Sequence, residues 1–455
     1  MAIHNPSLQE QAEDKRVTLQ PTAVKQFICP GEKLPISRSI HYARLAAFYP
    51  ACRECPHRNE TGNLPAKTIE DLEETQKRIG RTDLFTTEGI RGVYLNEIDR
   101  QQTERIVSAF CALVLENYPR RYRFSQEKSS RELSSPLMIV GYDSRASSFE
   151  LMPTVIESLR RMGMMVTEVG LSSRSSFCFA AKHLEATAGI LITGSGCGPA
   201  WTGFDFVGES AFPYSLGGQL DKLKFRLQKK FSRPSRQGGK LNSFQAAIPY
   251  RTNLWKYFQH LKPLEIVCHK SDPFTTQTLL ELFAKLPCHL TLIDMPGKQS
   301  LTTKREVAER ATIADFVVKS GADLGVMIEE DGMTCHFLDE QARIVSALSI
   351  VRLFLANPAL SKAGSSIVLT DRLRNEIQKE RLPSEIEIIP TLTNREAISK
   401  TIREHGVSFG CEEAGRYWFG ETHPVCDSIL TLGVVLQILS HTEKPFSVSI
   451  EGISG

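Results

Sequence analysis

From Leu137 onward, apolar and polar positions along the chain fall into a repeating rhythm. Short runs, LMIVGY, MVTEVG and AGILIT, alternate with longer stretches whose apolar residues recur at helical spacing, such as Leu151, Val155 and Leu159. The short runs predict buried strands and the longer ones predict amphipathic helices. One helix is expected from Phe149 to Met162, capped by Ser147 or Ser148, and the next over SSFCFAAKHLE. Strand and helix in strict alternation predict a parallel sheet with right-handed crossovers. The rhythm then returns twice. Strand LEIVCH, helix 273–286, strand HLTLID, helix 312–320 and strand ADLGVMI make a second unit. Helix 346–357, strand SSIVLT, helix 372–380, strand IEIIPT, helix 394–405 and strand VSFGCE make a third. An apolar helix from Ser428 to Ser440 and the short tail FSVSIEGISG close the chain. The fold class is α/β, in three consecutive units.

Ahead of that rhythm the text differs. FTTEGIRG places two glycines and Arg91 among small and hydroxylic residues, as a loop suited to wrapping an anion. A helix is predicted from Glu97 to Tyr118, and residues 119–135 are basic and polar, as in a surface insertion. Residues 1–80 are poor in strand patterns. They contain Cys29, then Cys52 and Cys55 in a Cys-x2-Cys spacing, with His57 two residues on. Four such groups can supply a structural tetrahedral Zn²⁺. His41 competes with His57 as the fourth ligand, and cysteines without metal fit the same spacing. A short helix over TIEDLEETQKRIG completes this Cys-rich module.

Length and composition narrow the function. At 455 residues the chain exceeds what a single core fills. A net charge of +3 implies no general attraction to nucleic acid or to a membrane. Lys222, Lys224, Arg226, Lys229, Lys230, Arg233, Arg236 and Lys240 form a basic run, but no aromatic residues interleave as stacking platforms, so a solvated helix face is expected. The first residues, MAIHNPSLQEQAEDKR, lack the apolar core of a signal peptide, and no apolar run approaches a membrane span. Eleven cysteines, scattered through apolar segments, suit reduced thiols in a cytoplasm.

The strand AGILIT ends on Gly194, Ser195 and Gly196. Ligands of open α/β sheets bind beyond the carboxyl ends of the strands, where Ser195 would stand. Alone, Gly-Ser-Gly reads first as a turn after a strand. Four further stretches change the weighing. FTTEGIRG resembles the opening F-G-T-x-G-x-R-G, and VGYDSRASS resembles V-G-x-D-x-R-x-S. ITGSGCGPAWTGFDF resembles I-T-A-S-H-N-P-x-x-x-N-G-x-K. ADLGVMIEEDGMTCHFLDEQARIV resembles A-D-L-G-x-x-x-D-G-D-G-D-R-x-x-x-V-D-x-x-G, and FGCEEAGRYWF resembles F-G-G-E-x-S-G-H-x-x-F. Five motifs in this order, from Leu84 to Leu439, identify a resemblance to the α-D-phosphohexomutase family, which includes phosphoglucomutase, phosphomannomutase and phosphoglucosamine mutase.

The resemblance implies three phosphohexomutase-type α/β/α domains with mixed, mainly parallel sheets. The boundaries are a Cys/His module over 1–80, domain I with the serine loop over 81–240, domain II with the metal loop over 241–344, and domain III with the sugar loop over 345–455. The family's fourth domain, with its R-P-S-G-T-E-P phosphate clamp, is expected to be absent. It also implies that Ser195 carries a phosphate, with Arg91 beside it, and that Asp143 and Arg145 brace the loop. Mg²⁺ would be held by Ser195, Glu329 and Asp331, and a hexose phosphate by Glu412, Gly415 and Arg416. Departures weaken the metal site. Gly196 and Cys197 replace His and Asn, Asp205 replaces lysine, Met333 replaces the third metal-loop aspartate and Thr334 its arginine, and Ala414 and Arg416 replace Ser and His. A thioether is a soft ligand that Mg²⁺ rejects. The expected activity is intramolecular phosphoryl transfer on a hexose phosphate, and the departures put turnover itself in question. The alternatives are a catalytically silent sugar-phosphate binder and an interaction protein that meets its partner through the N-terminal module.

Overall fold

The computed structural model describes residues 27–30, 32–52, 54–77, 83–118, 135–229, 235, 238–294, 303–358, 360–361, 364–379, 386–420 and 425–451. All but the last residue of the expected insertion 119–135 lies outside these, as do Lys230, Arg233, Arg236 and the final four residues. The chain divides into two compact units, Met1–Gln76 and Lys77–Gly455.

In the first unit, Phe27 and Ile36 form an antiparallel bridge, and the helix Arg38–Ala46 starts at Ser37, whose hydroxyl accepts the Ile40 N–H. That is the capping expected of serine. A second helix spans Ala66–Lys77. Phe27, Cys29, Ile36 and Cys55 share one small core, and Leu45, Cys52 and Leu72 another. The His41 ring is buried and stacks on Phe27 at 4.0 Å. Burial pushes the Cys52 thiol up to about 11, with Cys29 and Cys55 near enough to add to the shift. The fourth expected zinc ligand, His57, bonds Glu60 Oε1 through Nδ1 at 2.7 Å, and its ring packs edge-on to Phe27. Three thiols share two adjoining apolar clusters, and no metal-holding arrangement of three or more His, Cys, Asp or Glu side chains occurs among the described residues.

The second unit carries three sheets. The first contains β1 (Phe85–Thr86), β2 (Gly89–Val93), β3 (Leu137–Tyr142), β4 (Met165–Leu171), β5 (Ala188–Ile192), β6 (Trp201–Val207) and β7 (Leu241–Ser243), in the order β1-β2-β6-β5-β3-β4-β7. The second contains β8 (Glu265–His269), β9 (His289–Ile293), β10 (Leu324–Ile328), β11 (Cys335–Asp339) and β12 (Ile344–Val345), in the order β12-β11-β10-β8-β9. The third contains β13 (Ser366–Thr370), β14 (Glu387–Thr391), β15 (Phe409–Glu412) and β16 (Arg416–Phe419), in the order β14-β13-β15-β16.

Each sheet is mixed. β3, β4, β5 and β7 run parallel, as do β8, β9 and β10, and β13, β14 and β15. An antiparallel hairpin is appended to one parallel strand of each: β6 to β5, β11 to β10 and β16 to β15. The sheets are mixed and mainly parallel, as the family resemblance implies; the strand–helix alternation by itself gave only the parallel strands and missed these return strands. WTGFDFV and CHFLD follow Gly-rich or acidic loops and carry polar residues, which hid their strand character. FTTEGIRG is likewise no open loop but the β1–β2 hairpin, with Thr87 and Glu88 at its tip.

Helices cover both faces, which is why the central strands read as unbroken apolar runs. Val107, Phe110, Leu151, Val155 and Leu159, from the helices Arg100–Asn117 and Ala146–Arg161, share a core with Met138, Val140, Ile190 and Phe204. The alternate residues Ile139, Leu191 and Val207 share the opposite core with Phe177 and Ala181 of the helix Arg174–His183. The helix Ala146–Arg161 begins one residue before Ser147, so Ser147 and Ser148 are buried in its first turn and do not cap it. The helix Ser428–Ser440 is buried along most of its length in a core that also contains Leu324, Val326, Ile367 and Phe409, so the second and third sheets share one interior.

Gly203 on β6 faces Arg91 on β2, and a Cβ there would overlap the Ile90 carbonyl oxygen. Gly203→Ala is expected to lower unfolding stability by about 1–3 kcal/mol, the usual cost of overpacking a filled site. Urea denaturation of both proteins checks this; an unchanged midpoint would show that β2 and β6 are not in this close register.

Candidate active site

The three return hairpins place their loops beyond the carboxyl ends of β5, β10 and β15, where α/β proteins gather ligands. They are residues 193–200, 329–334 and 413–415. The β1–β2 tip joins them, because the Glu88 side chain meets Arg174 from a helix on the first sheet and Arg395 and Arg416 from the third.

The serine loop is fixed from several sides. Gly194 N–H donates to Asp143 Oδ2 at 3.0 Å and Ser195 N–H to Thr193 Oγ1 at 3.0 Å. Arg145 donates to the carbonyls of Gly198 at 2.8 Å and Cys197 at 3.2 Å, and to Glu330 Oε2 of the second loop at 2.7 Å. Arg91 Nε donates to the Ser195 carbonyl at 3.2 Å. Asp143, Arg145 and Arg91 thus stand where the motifs suggested. The backbone is pinned, while the Ser195 hydroxyl makes no hydrogen bond among the described residues.

A lattice of buried charge links the loops. Arg174, with its side chain 5% exposed, donates Nε to Asp205 Oδ2 at 2.5 Å and Nη1 to Asp331 Oδ2 at 3.4 Å. Arg91 Nη2 lies 2.8 Å from Asp205 Oδ1. Arg416 donates to both Glu88 oxygens, Nη1 to Oε1 at 2.5 Å and Nη2 to Oε2 at 3.2 Å. It also reaches Asp331 Oδ2 at 3.3 Å and Thr334 Oγ1 at 3.1 Å. Arg395 donates Nη2 to the Glu88 carbonyl at 3.1 Å. Four guanidiniums, Arg91, Arg174, Arg395 and Arg416, are therefore interleaved with four carboxylates, Glu88, Asp205, Asp331 and Glu412.

Electrostatics follow from this interleaving. Burial alone would push the Asp331 carboxyl up, but Arg416, Arg174 and two backbone N–H groups outweigh it and hold it below the usual range. Asp205 is held down in the same way, chiefly by Arg174 and Arg91. Burial likewise works against ionised Glu88, and Arg395, Arg416 and Arg174 overcome it. Glu412 is the exception. Burial, with Glu88 nearby, raises it despite Arg416, and its Oε1 is buried without a hydrogen bond.

The expected Mg²⁺ ligands do not fit that ion. Asp331 Oδ1 accepts the N–H groups of Met333 at 2.8 Å and Thr334 at 2.9 Å, while Oδ2 accepts the Thr334 hydroxyl and two guanidiniums. A hard divalent cation needs free oxygens in near-octahedral array. Glu329 is 51% exposed on its side chain and lies 3.9 Å from His336 Nε2. Met333, expected to spoil the site as a soft ligand, does not face it. It is 3% exposed and belongs to the core that holds Trp418 and Cys426. In this arrangement Ser195, Glu329 and Asp331 do not present a set of free oxygens to one divalent ion.

Gly332 takes φ 70° at the turn of this loop. Its carbonyl accepts the hydroxyls of Ser175 at 2.5 Å and Ser428 at 2.7 Å, tying the loop to helices flanking two other sheets. The sugar hairpin docks beside it: Cys335 N–H donates to the Gly415 carbonyl at 2.9 Å, and Thr334 pairs with Arg416. Glu412, Gly415 and Arg416 are therefore brought against the second loop. Asp205, expected as an unanswered charge reversal, is matched by Arg91 and Arg174. Sequence reasoning missed Arg174, Arg395 and Glu88. Arg174 and Arg395 open helices and look like ordinary first-turn residues; only the placement of both at carboxyl ends of parallel strands could have pointed to them.

Residues 82–217 match the family described as phosphoglucomutase/phosphomannomutase, alpha/beta/alpha domain I, and residues 350–454 match its alpha/beta/alpha domain III. The phosphoglucosamine mutase of Lacticaseibacillus casei is 23% identical over 376 residues, covering 80% of this chain and 80% of its own length. That of Leuconostoc mesenteroides is 24% identical over 373 residues, covering 80% and 79%. Among solved structures, a phosphoglucomutase/phosphomannomutase family protein from Burkholderia thailandensis has the same fold, with a TM-score of 0.68 at 20% identity, over 82% of this chain and 80% of that one. Parafusin, a phosphoglucomutase from Paramecium, shares it with a TM-score of 0.63 at 14% identity, over 82% and 74%.

Removing the central guanidinium tests the lattice. Arg174→Met leaves Asp205 and Asp331 short of a partner and is expected to cost about 3–5 kcal/mol at pH 7. The folded-state pKa values of both carboxyls are depressed, so their contribution is complete above the ordinary Asp range and disappears as pH falls through the folded values. The deficit should therefore persist from pH 7 to 5 and shrink below about pH 4, near the unfolded Asp value. Denaturant midpoints across pH read this, and a deficit independent of pH down to unfolding would refute the charge assignment.

Proposed function

We infer that this chain, which belongs to the α-D-phosphohexomutase superfamily, binds a hexose phosphate among its hairpin loops and carries a phosphoryl group on Ser195. The observation that supports this most is the serine loop. Its backbone is held by Asp143, Arg145 and Arg91, while the hydroxyl stays unbonded among the described residues. A nucleophile so placed needs no rearrangement to meet a phosphoryl donor. Glu412 adds to the reading, because its buried Oε1 makes no hydrogen bond, with Arg416 Nη1 at 3.4 Å, and can accept a sugar hydroxyl. Relatives named phosphoglucosamine mutase make a hexose phosphate the natural ligand class.

Phosphoryl transfer is mainly positioning and charge neutralisation. In superfamily members Mg²⁺ supplies part of that neutralisation; the donors here do not fit it, and the proposal does not depend on it. Guanidiniums around the loops are the groups able to meet phosphate oxygens, with Arg91 nearest the serine backbone. Free thiols at all eleven cysteines suit a reducing cytoplasm, and no described helix is long and apolar enough to cross a membrane.

A second reading, capture of a sugar phosphate without turnover, is favoured by one observation: every oxygen of Asp331 already has a partner. Intact-protein mass spectrometry after incubation with glucose 1,6-bisphosphate separates the two. Wild type should gain one phosphoryl group with Mg²⁺ present and equally in EDTA, and Ser195→Ala should gain none. A well-folded wild-type chain that stays unmodified in both arms would reject the transfer reading in favour of the second.

A further inference from the structure

Glu88 stands at the tip of a two-residue hairpin, yet its carboxylate is buried on most sides by cations. Arg416 binds it through two nitrogens, Arg395 Nε lies 3.2 Å from Oε1, and Arg174 Nη1 lies 3.5 Å from Oε2. The three arginines come from different places in the fold. Arg174 begins the helix behind the first sheet, Arg395 begins a helix of the third, and Arg416 begins β16. Such convergence on one surface glutamate exceeds what a hairpin tip needs for stability.

The fit is also incomplete. Only Arg416 makes well-directed hydrogen bonds to the carboxylate. Arg395 Nε is buried and has no hydrogen-bond partner, although it points toward this anion at salt-bridge distance. A carboxylate is flat and offers two oxygens. A phosphomonoester offers three oxygens around a tetrahedral centre, with about −1.5 to −2 charge. Three guanidiniums around one point suit the second shape better than the first.

Glu88 can also leave without dismantling the hairpin. Its main chain is held independently, through its own carbonyl on Arg395 Nη2 and through the Thr87 carbonyl on Leu216 N–H at 2.9 Å. Its side chain keeps 21% exposure, so rotation alone carries the carboxylate to solvent.

We propose that Arg174, Arg395 and Arg416 form a binding site for the phosphate of a phosphomonoester, and that Glu88 is the resident anion which this phosphate displaces. The proposal rests on reading the cleft as a hexose-phosphate site and adds where the phosphate sits and what guards it. While the site is vacant, Glu88 keeps three buried cations paired. Binding exchanges one anion for another, so the affinity of the wild-type chain is reduced by the fraction of molecules in which Glu88 holds the site.

The test uses the full chain with Ser195→Ala in the background, so that no covalent phosphate forms. Calorimetric titration is made with glucose 6-phosphate and, separately, with inorganic phosphate. Adding Glu88→Gln should tighten both by about tenfold or more, since a neutral amide no longer competes. Adding Arg416→Gln to that variant should abolish the gain. Equal gains for both ligands assign the site to the phosphate group, and a larger gain with the sugar ester extends it to the hexose. Unchanged or weaker binding in folded Glu88→Gln would overturn the proposal. A measurement on the chain without Glu88→Gln guards against misfolding: the Glu88 side-chain carboxyl carbon resonance, assigned by its loss in Glu88→Gln, should move toward the position of a solvated glutamate when glucose 6-phosphate saturates the protein, and an unmoved resonance would count against displacement. Because Ser195 is absent throughout, failure here leaves serine phosphorylation standing, and failure of serine phosphorylation leaves this site standing.

Discussion

One guanidinium holds the centre of this protein. Arg174 is buried between Asp205, which lies on a strand of the first sheet, and Asp331, which lies in a loop of the second. Both carboxylates stay ionised in that interior because Arg174 is joined there by other cations, Arg91 at Asp205 and Arg416 at Asp331, since isolated buried charges cost several kcal/mol each. The same dependence propagates outward. Asp205 orders Arg91, Arg91 holds the Ser195 backbone, Asp331 orders Arg416, and Arg416 holds Glu88. Apolar cores join the sheets, one shared by the second and third and another by the first and third, and this ionic lattice sets how their loops face one another.

The lattice also decides the chemistry. In a site organised by a divalent cation, carboxylates must keep lone pairs free for the ion. Here the same oxygens receive N–H and O–H donors from the protein itself, so positive charge arrives on side chains fixed to the fold. Such charge cannot be withdrawn by a chelator. It is also matched nearly one for one by acidic residues, which leaves little excess to attract an anionic substrate from a distance. On the proposed reading, affinity depends on exchange of partners inside the cleft more than on a net field.

The alternation of strands and helices was legible because both periodicities are local: Leu151, Val155 and Leu159 announce a helix, and AGILI announces a strand covered on both faces. The helix Ser428–Ser440 was placed to the residue, since Asp427 before it caps its first N–H groups. The serine, its bracing Asp143 and Arg145, and the sugar hairpin were legible through motifs. The return strands were not, because polar residues broke their pattern. Arg174, Arg395 and Glu88 were not, because their partners lie between 31 and 328 residues away. Met333 was misjudged for a related reason. Its position in a motif suggested a side chain facing the site, whereas the loop turns it into a core. Motifs align residues; they do not say which way a side chain points.

That buried thioether makes the path to a three-aspartate loop dependent on order. Arg395 Nη1 lies 3.8 Å from the Met333 sulfur. An aspartate restored at 333 would enter this apolar core as a new anion, and the cation within reach would be Arg395, which now faces Glu88. One reversion therefore reassigns a partner and does not rebuild a metal ligand. The loop would have to turn first, and Arg174 would have to withdraw from Asp331 before an oxygen came free. Each change is unfavourable until the others have occurred. The sequence is entrenched in its present electrostatic solution, held there by the mutual dependence of neighbours and not by any single residue.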